Sequence, residues 1–75
     1  MMKTQMDIVL RIVRDMRPVR TEEVKIEAMK QGVSCADRFL RWLAVAGYIY
    51  SYKLKENKTK TWMITGAGIK KAEER

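Results

Sequence analysis

Residues 34 to 49, Ser34-Cys35-Ala36-Asp37-Arg38-Phe39-Leu40-Arg41-Trp42-Leu43-Ala44-Val45-Ala46-Gly47-Tyr48-Ile49, contain a helix start, a helix stop and the first residues of a strand. Ser34 is an N-cap candidate, since its hydroxyl can accept from an early backbone N–H, and Asp37 three residues on can reach back to complete a capping box. Gly47 stands where a helix C-terminus takes a left-handed residue. Between them Ala36, Leu40, Leu43 and Gly47 recur at i, i+4, i+7 and i+11, with Phe39 and Ala46 widening the stripe, so one face is built for burial. The opposite face carries Asp37, Arg38 and Arg41.

Working back toward the N-terminus, the spacing predicts a second helix opening at Thr21, with Glu22 and Glu23 in the first turn where the helix dipole prefers acids. Val24, Ala28 and Met29 give it an apolar face with Ile26 at the edge, Gly32 closes it, and Val33 plugs the core from the turn. Pro18-Val19-Arg20 before it reads as a short extended segment. A first helix is predicted over residues 4 to 16, ending ahead of Arg17-Pro18. Its apolar residues fill an arc of roughly 200°, against about 100° for an ordinary core-facing helix. Ile8, Val9, Ile12 and Met16 are expected to face the core, and Asp7 with Arg11 to form a solvated i, i+4 pair. That leaves Met6, Leu10 and Val13 for a second surface, and a homodimer interface is expected there.

Working forward, Tyr48 to Leu54 alternate as a strand, Glu56-Asn57-Lys58 form a turn, and residues 59 to 64 return. Tyr48, Tyr50 and Tyr52 share one face and are expected to cover the core; turned outward, Tyr50 and Tyr52 would instead offer stacking surfaces for unpaired bases. Trp62 and Ile64 read as core, and Thr65 caps a terminal helix from Gly66 to about Glu74.

The pattern of Ser, small apolar residue, Arg, Leu, Arg, Leu and then Gly-Tyr-Ile resembles the recognition helix and first wing strand of winged helix-turn-helix DNA-binding domains. Trp62-Met63-Ile64-Thr65-Gly66-Ala67-Gly68-Ile69-Lys70 is similar to the aromatic-x-aliphatic-Thr-x-x-Gly segment by which many of those domains enter a last helix. The joint between the second and third helices departs from the commonest family spacing, with a turn about two residues shorter and a second helix about one turn longer. The resemblance implies an α+β fold in one domain: a three-helix core, a two-stranded wing hairpin and a short C-terminal helix. It also implies double-stranded DNA as partner, read by the helix carrying Ser34, Cys35, Asp37, Arg38, Arg41 and Trp42. Arg17, Arg20 and the wing residues Lys53, Lys55, Lys58 and Lys60 would hold phosphates.

Composition is consistent with that expectation. The 75 residues carry 16 Lys and Arg against 9 acids, a formal charge of +7, which favours a polyanionic partner. Residues 48 to 64 hold four basic groups and one acid, whereas residues 21 to 31 hold two and three, so the charge is concentrated outside the second helix. Each site residue also has a plainer reading. The arginines can be a solvated face, the lysines can blunt a strand edge, and Asp37 can cap the helix or accept from a cytosine amino group. Cys35 can be a small side chain or a thiol activated by the helix start.

One Cys and no His supply neither a disulfide nor a metal site, no cofactor motif is present, and no set of acids and bases forms a catalytic constellation. A non-enzymatic protein without metal or cofactor is therefore expected. No apolar run approaches the roughly 20 residues of a membrane span and no signal-peptide pattern opens the chain, so a cytoplasmic location is expected. The alternatives to a small transcriptional regulator are a winged-helix module for protein assembly and a single-strand binder.

Overall fold

A computed structural model describes residues 4–53 and 59–73. The chain is α+β, with four helices and a three-stranded antiparallel sheet among the described residues: α1 (Gln5–Met16), β1 (Val19–Arg20), α2 (Thr21–Lys30), α3 (Ala36–Val45), β2 (Ile49–Tyr52), β3 (Thr61–Ile64) and α4 (Gly66–Glu73). No helix among the described residues is long and apolar enough to cross a membrane.

The helix boundaries follow local chemistry. Thr4 caps α1, its Oγ1 accepting from the Asp7 backbone N–H at 3.1 Å. Gly32 (φ 82°) and Gly47 (φ 85°) end α2 and α3 in the left-handed conformation. Both ends form the six-to-one bond of a Schellman motif, Val33 N–H to the Ala28 carbonyl at 2.8 Å and Tyr48 N–H to the Leu43 carbonyl at 3.0 Å. Val33 is buried in the turn as its sequence position requires.

Two predicted caps are corrected. Thr21 lies inside α2, and Arg20 is the N-cap; a guanidinium cannot accept, so only half a capping box forms, with the Arg20 backbone N–H donating to Glu23 Oε1 at 3.1 Å. Ser34 does not cap α3. Cys35 is the N-cap, in the left-handed region at φ 61°, with no side-chain cap, so neither Ser34 nor Asp37 forms the expected box and Cys35 precedes the first helical turn.

The expected two-stranded hairpin is widened by β1. The sheet order is β1-β3-β2, with Val19 opposite Trp62, Arg20 opposite Thr61, and Ile49 opposite Ile64. This register puts Val19, Trp62, Ile49 and Ile64 on the helix-facing side, where all four are buried. The tyrosines therefore fall out of phase with the core: Tyr48 is half-buried, while Tyr50 and Tyr52 face outward. Covering of the core by Tyr50 and Tyr52 is thus corrected.

The broad arc of α1 is satisfied within one chain. Leu10 and Val13, assigned from sequence to a dimer interface, are 1% and 0% exposed, and Met6 is half-buried against the same core. The reason is that α1 is the central helix, packed against α2, α3, α4 and β3, with Ala72 of α4 buried and Ile69 half-buried over it. Met16, expected inside, is partly exposed, and Met29 and Ile26 of α2 are largely exposed. The expected Asp7–Arg11 pair does not form; among the described residues, Arg14 instead bonds Asp15 (Nε to Oδ1, 2.8 Å), and its guanidinium holds the Asp15 carboxyl below the ordinary carboxylate range. Both side chains are solvated, so the pair contributes little to stability.

Thr65 fastens the end of α3, the start of β2 and the start of α4 together. Its backbone N–H donates to the Tyr48 carbonyl at 2.9 Å, and its hydroxyl lies 2.8 Å from the Gly47 carbonyl and 2.9 Å from that of Tyr48. The same oxygen accepts from the Gly68 N–H at 3.0 Å, capping α4. This anchors the C-terminal end of α3 against the sheet that flanks it.

Candidate functional site

Burial of Ala36, Leu40 and Leu43 on one side of α3 turns positions 37, 38, 41, 42 and 45 to solvent, because residues three and four apart share a helix face. The exposed stripe is Asp37, Arg38, Arg41, Trp42 and Val45. Alongside it runs an open groove of about 530 Å³, walled by these residues on the α3 side and by Thr21, Ser51, Lys60 and Trp62 on the other.

Trp62 makes the floor rigid. Its ring is buried and its Nε1–H donates to Thr21 Oγ1 at 2.8 Å, tying β3 to the start of α2. Thr21, expected as a cap, serves as this acceptor instead. Lys60 Nζ stands 6.0 Å from the Trp62 ring centroid, at the outer limit of a cation–π contact. Three cationic side chains, Arg38, Arg41 and Lys60, therefore border one groove, and none is engaged in an ion pair among the described residues.

The other predicted residues divide. Trp42 lies in the groove at 60% exposure, and Asp37 lies at its α3 end. Ser34 and Cys35 are exposed but line a different depression, with Lys25, Met29 and Val33. Arg20 borders a third groove with Pro18, Glu22, Glu23, Ile26, Tyr52 and Thr61, on the other side of the sheet. Arg17 and Lys53 are exposed and line none of these three grooves. Lys55 and Lys58 lie outside the described residues.

No family model, curated protein or solved structure matches this chain. The candidate site therefore rests on its own geometry and chemistry.

Sequence reasoning missed Val45, which is 80% exposed on the same stripe as the arginines. The signal was present: 38, 41, 42 and 45 follow the i, i+3, i+4, i+7 rule as closely as the buried set does. Thr21 and Ser51 also line the groove, but strand pairing and helix packing bring them there, and no local pattern announces them.

Proposed function

We propose that the protein is a winged helix-turn-helix domain that binds double-stranded DNA sequence-specifically, as a small transcriptional regulator. The observation that carries this reading is the groove beside α3, where Arg38, Arg41 and Lys60 stand exposed around a rigid floor. A solvent-facing helix of this kind fits the major groove, arginines can donate paired bonds to guanine O6 and N7, and hairpin lysines suit the flanking phosphates. The formal charge of +7 supplies the general attraction to a polyanion.

Titration of a fluorescent duplex at several salt concentrations tests the reading. With about five phosphates neutralised, log K falls against log salt with a slope of about −4 to −5. A flat salt response, or no binding at low salt, overturns it. Arg38→Ala and Arg41→Ala are each expected to cost about 1 to 3 kcal/mol on a preferred site selected from a random pool and little on random duplex. Lys60→Ala should weaken both alike, and the reverse pattern would reassign the base-reading element.

A second reading, single-strand binding, draws on the outward Tyr50 and Tyr52, which sit opposite Met63 and Thr61 on β3. Glu22 and Glu23 border the groove that holds Tyr52, and their charge opposes a polyanion there. Competition of unlabelled single strand against bound duplex separates the two, since preference for the single strand would favour the tyrosine face. A dimer through the first helix is not proposed, because Leu10 and Val13 are buried within one chain.

A further inference from the structure

The exposed stripe of α3 changes character along its length. Arg38 and Arg41 occupy its first part, and Trp42 and Val45, at 60% and 80% exposure, its last. An isolated exposed Val is ordinary on a protein surface. Here, however, two large apolar side chains continue the line of two arginines into the groove that Lys60 borders. A helix face flanked by cations is drawn to a polyanion, and phosphates offer nothing to an apolar side chain. Base edges do, and of the four bases only thymine places a methyl group in the major groove.

We infer that Trp42 and Val45 form a thymine-methyl contact, so that α3 prefers duplexes with thymine beside its arginine-read positions. The inference rests on the DNA-binding reading above and specifies its substrate. Val45 lies four residues beyond Arg41, about 6 Å along the helix axis. Base pairs are spaced about 3.4 Å apart, so the apolar end reaches a base pair about two steps from the one that Arg41 faces.

The test needs no knowledge of the natural site. A duplex repeating guanine-thymine-thymine along one strand places thymine within two steps of every guanine, and the same duplex with uracil in place of thymine differs by those methyls alone. Wild-type protein should bind the thymine duplex roughly fourfold more tightly for each methyl that meets an apolar side chain, and about fifteenfold if both side chains find one. Val45→Ala and Trp42→Ala should each lower that ratio, and the double variant should bring it to about one, whatever its affinity for the uracil duplex. Both side chains are exposed, so neither substitution opens a core.

Equal wild-type affinity for the two duplexes would overturn the methyl contact and leave DNA binding standing. Binding to neither duplex at low salt would remove both. An undiminished ratio in the two variants would place the methyl contact elsewhere and overturn the assignment. Light scattering on the same samples adds a further check: a dimeric wild type that Val45→Ala converts to a monomer would put a second copy of the chain on this stripe, and would also overturn it.

Discussion

Leu10→Glu is expected to leave the chain largely unfolded at neutral pH. Leu10 is 1% exposed in the middle of α1, among the largest fully buried side chains. The substitution removes about 1.5 to 3 kcal/mol of apolar burial and forces either a carboxylate, or a carboxyl without a partner, into the core at a cost of several kcal/mol more. A chain of 75 residues has on the order of 4 to 11 kcal/mol of total stability, so the loss is comparable to the whole. Leu10→Ala, which leaves a cavity without a charge, should cost about 2 to 5 kcal/mol and retain a cooperative transition. Circular dichroism and thermal melting decide the matter. A folded Leu10→Glu variant with the wild-type melting temperature would mean that this position faces solvent or a partner chain after all.

Gly68→Ala should destabilise the fold by about 3 kcal/mol or more, lowering the melting temperature by about 10 to 20 °C for a domain of this size. A Cβ at Gly68 would overlap the Tyr48 carbonyl oxygen and come within 2.6 Å of Ile64 Cγ1. The carbonyl cannot easily withdraw, because it accepts from the Thr65 N–H at 2.9 Å, and the Thr65 hydroxyl caps α4 through the Gly68 N–H. Moving it would strain the junction that holds the ends of α3 and β2 together. Gly66→Ala is the internal control. A Cβ there meets nothing within 4 Å, and the more restricted unfolded chain should leave stability unchanged or raised by a few tenths of a kcal/mol. Equal melting temperatures for the two variants would show that the close approach of α4 to Tyr48 is absent in solution.

The junction at Thr65 and Gly68 shows what a sequence can and cannot reveal. The Thr65 cap could be read directly, because a helix start takes particular residue types at fixed offsets, whereas the need for glycine at 68 comes from the Tyr48 carbonyl, far back in the chain. Gly32 and Gly47, whose left-handed φ values end two helices, were legible in the way the cap was, and so was the buried stripe Ala36, Leu40 and Leu43. Arg38 and Arg41 were legible as an exposed pair for the complementary reason, since whatever shares a helix with a buried stripe and lies opposite it faces out. These are consequences of local geometry, and the chain fixes them over a few residues.

The covering of each surface was decided only by the tertiary structure. The wide apolar arc of α1 states how much area must leave water but not what covers it, and α4, nearly sixty residues away in sequence, packs against it where a second chain was expected. The phase of β2 was equally open, because alternation specifies two faces without saying which is inside; pairing of Ile49 with Ile64 turns Tyr50 and Tyr52 outward. Pairing of β1 with β3 sets Arg20 opposite Thr61, and Arg20 lines a groove apart from the one beside α3 that Lys60 borders, although the sequence reading grouped Arg20 with Lys60 as phosphate contacts. The start of α3 moved as well, since Cys35 takes the left-handed backbone position that ends the inter-helix turn, so Ser34 lies one residue too early to cap. Hydrophobic burial is non-directional, so sequence sets how much apolar surface is hidden while long-range packing chooses the partner.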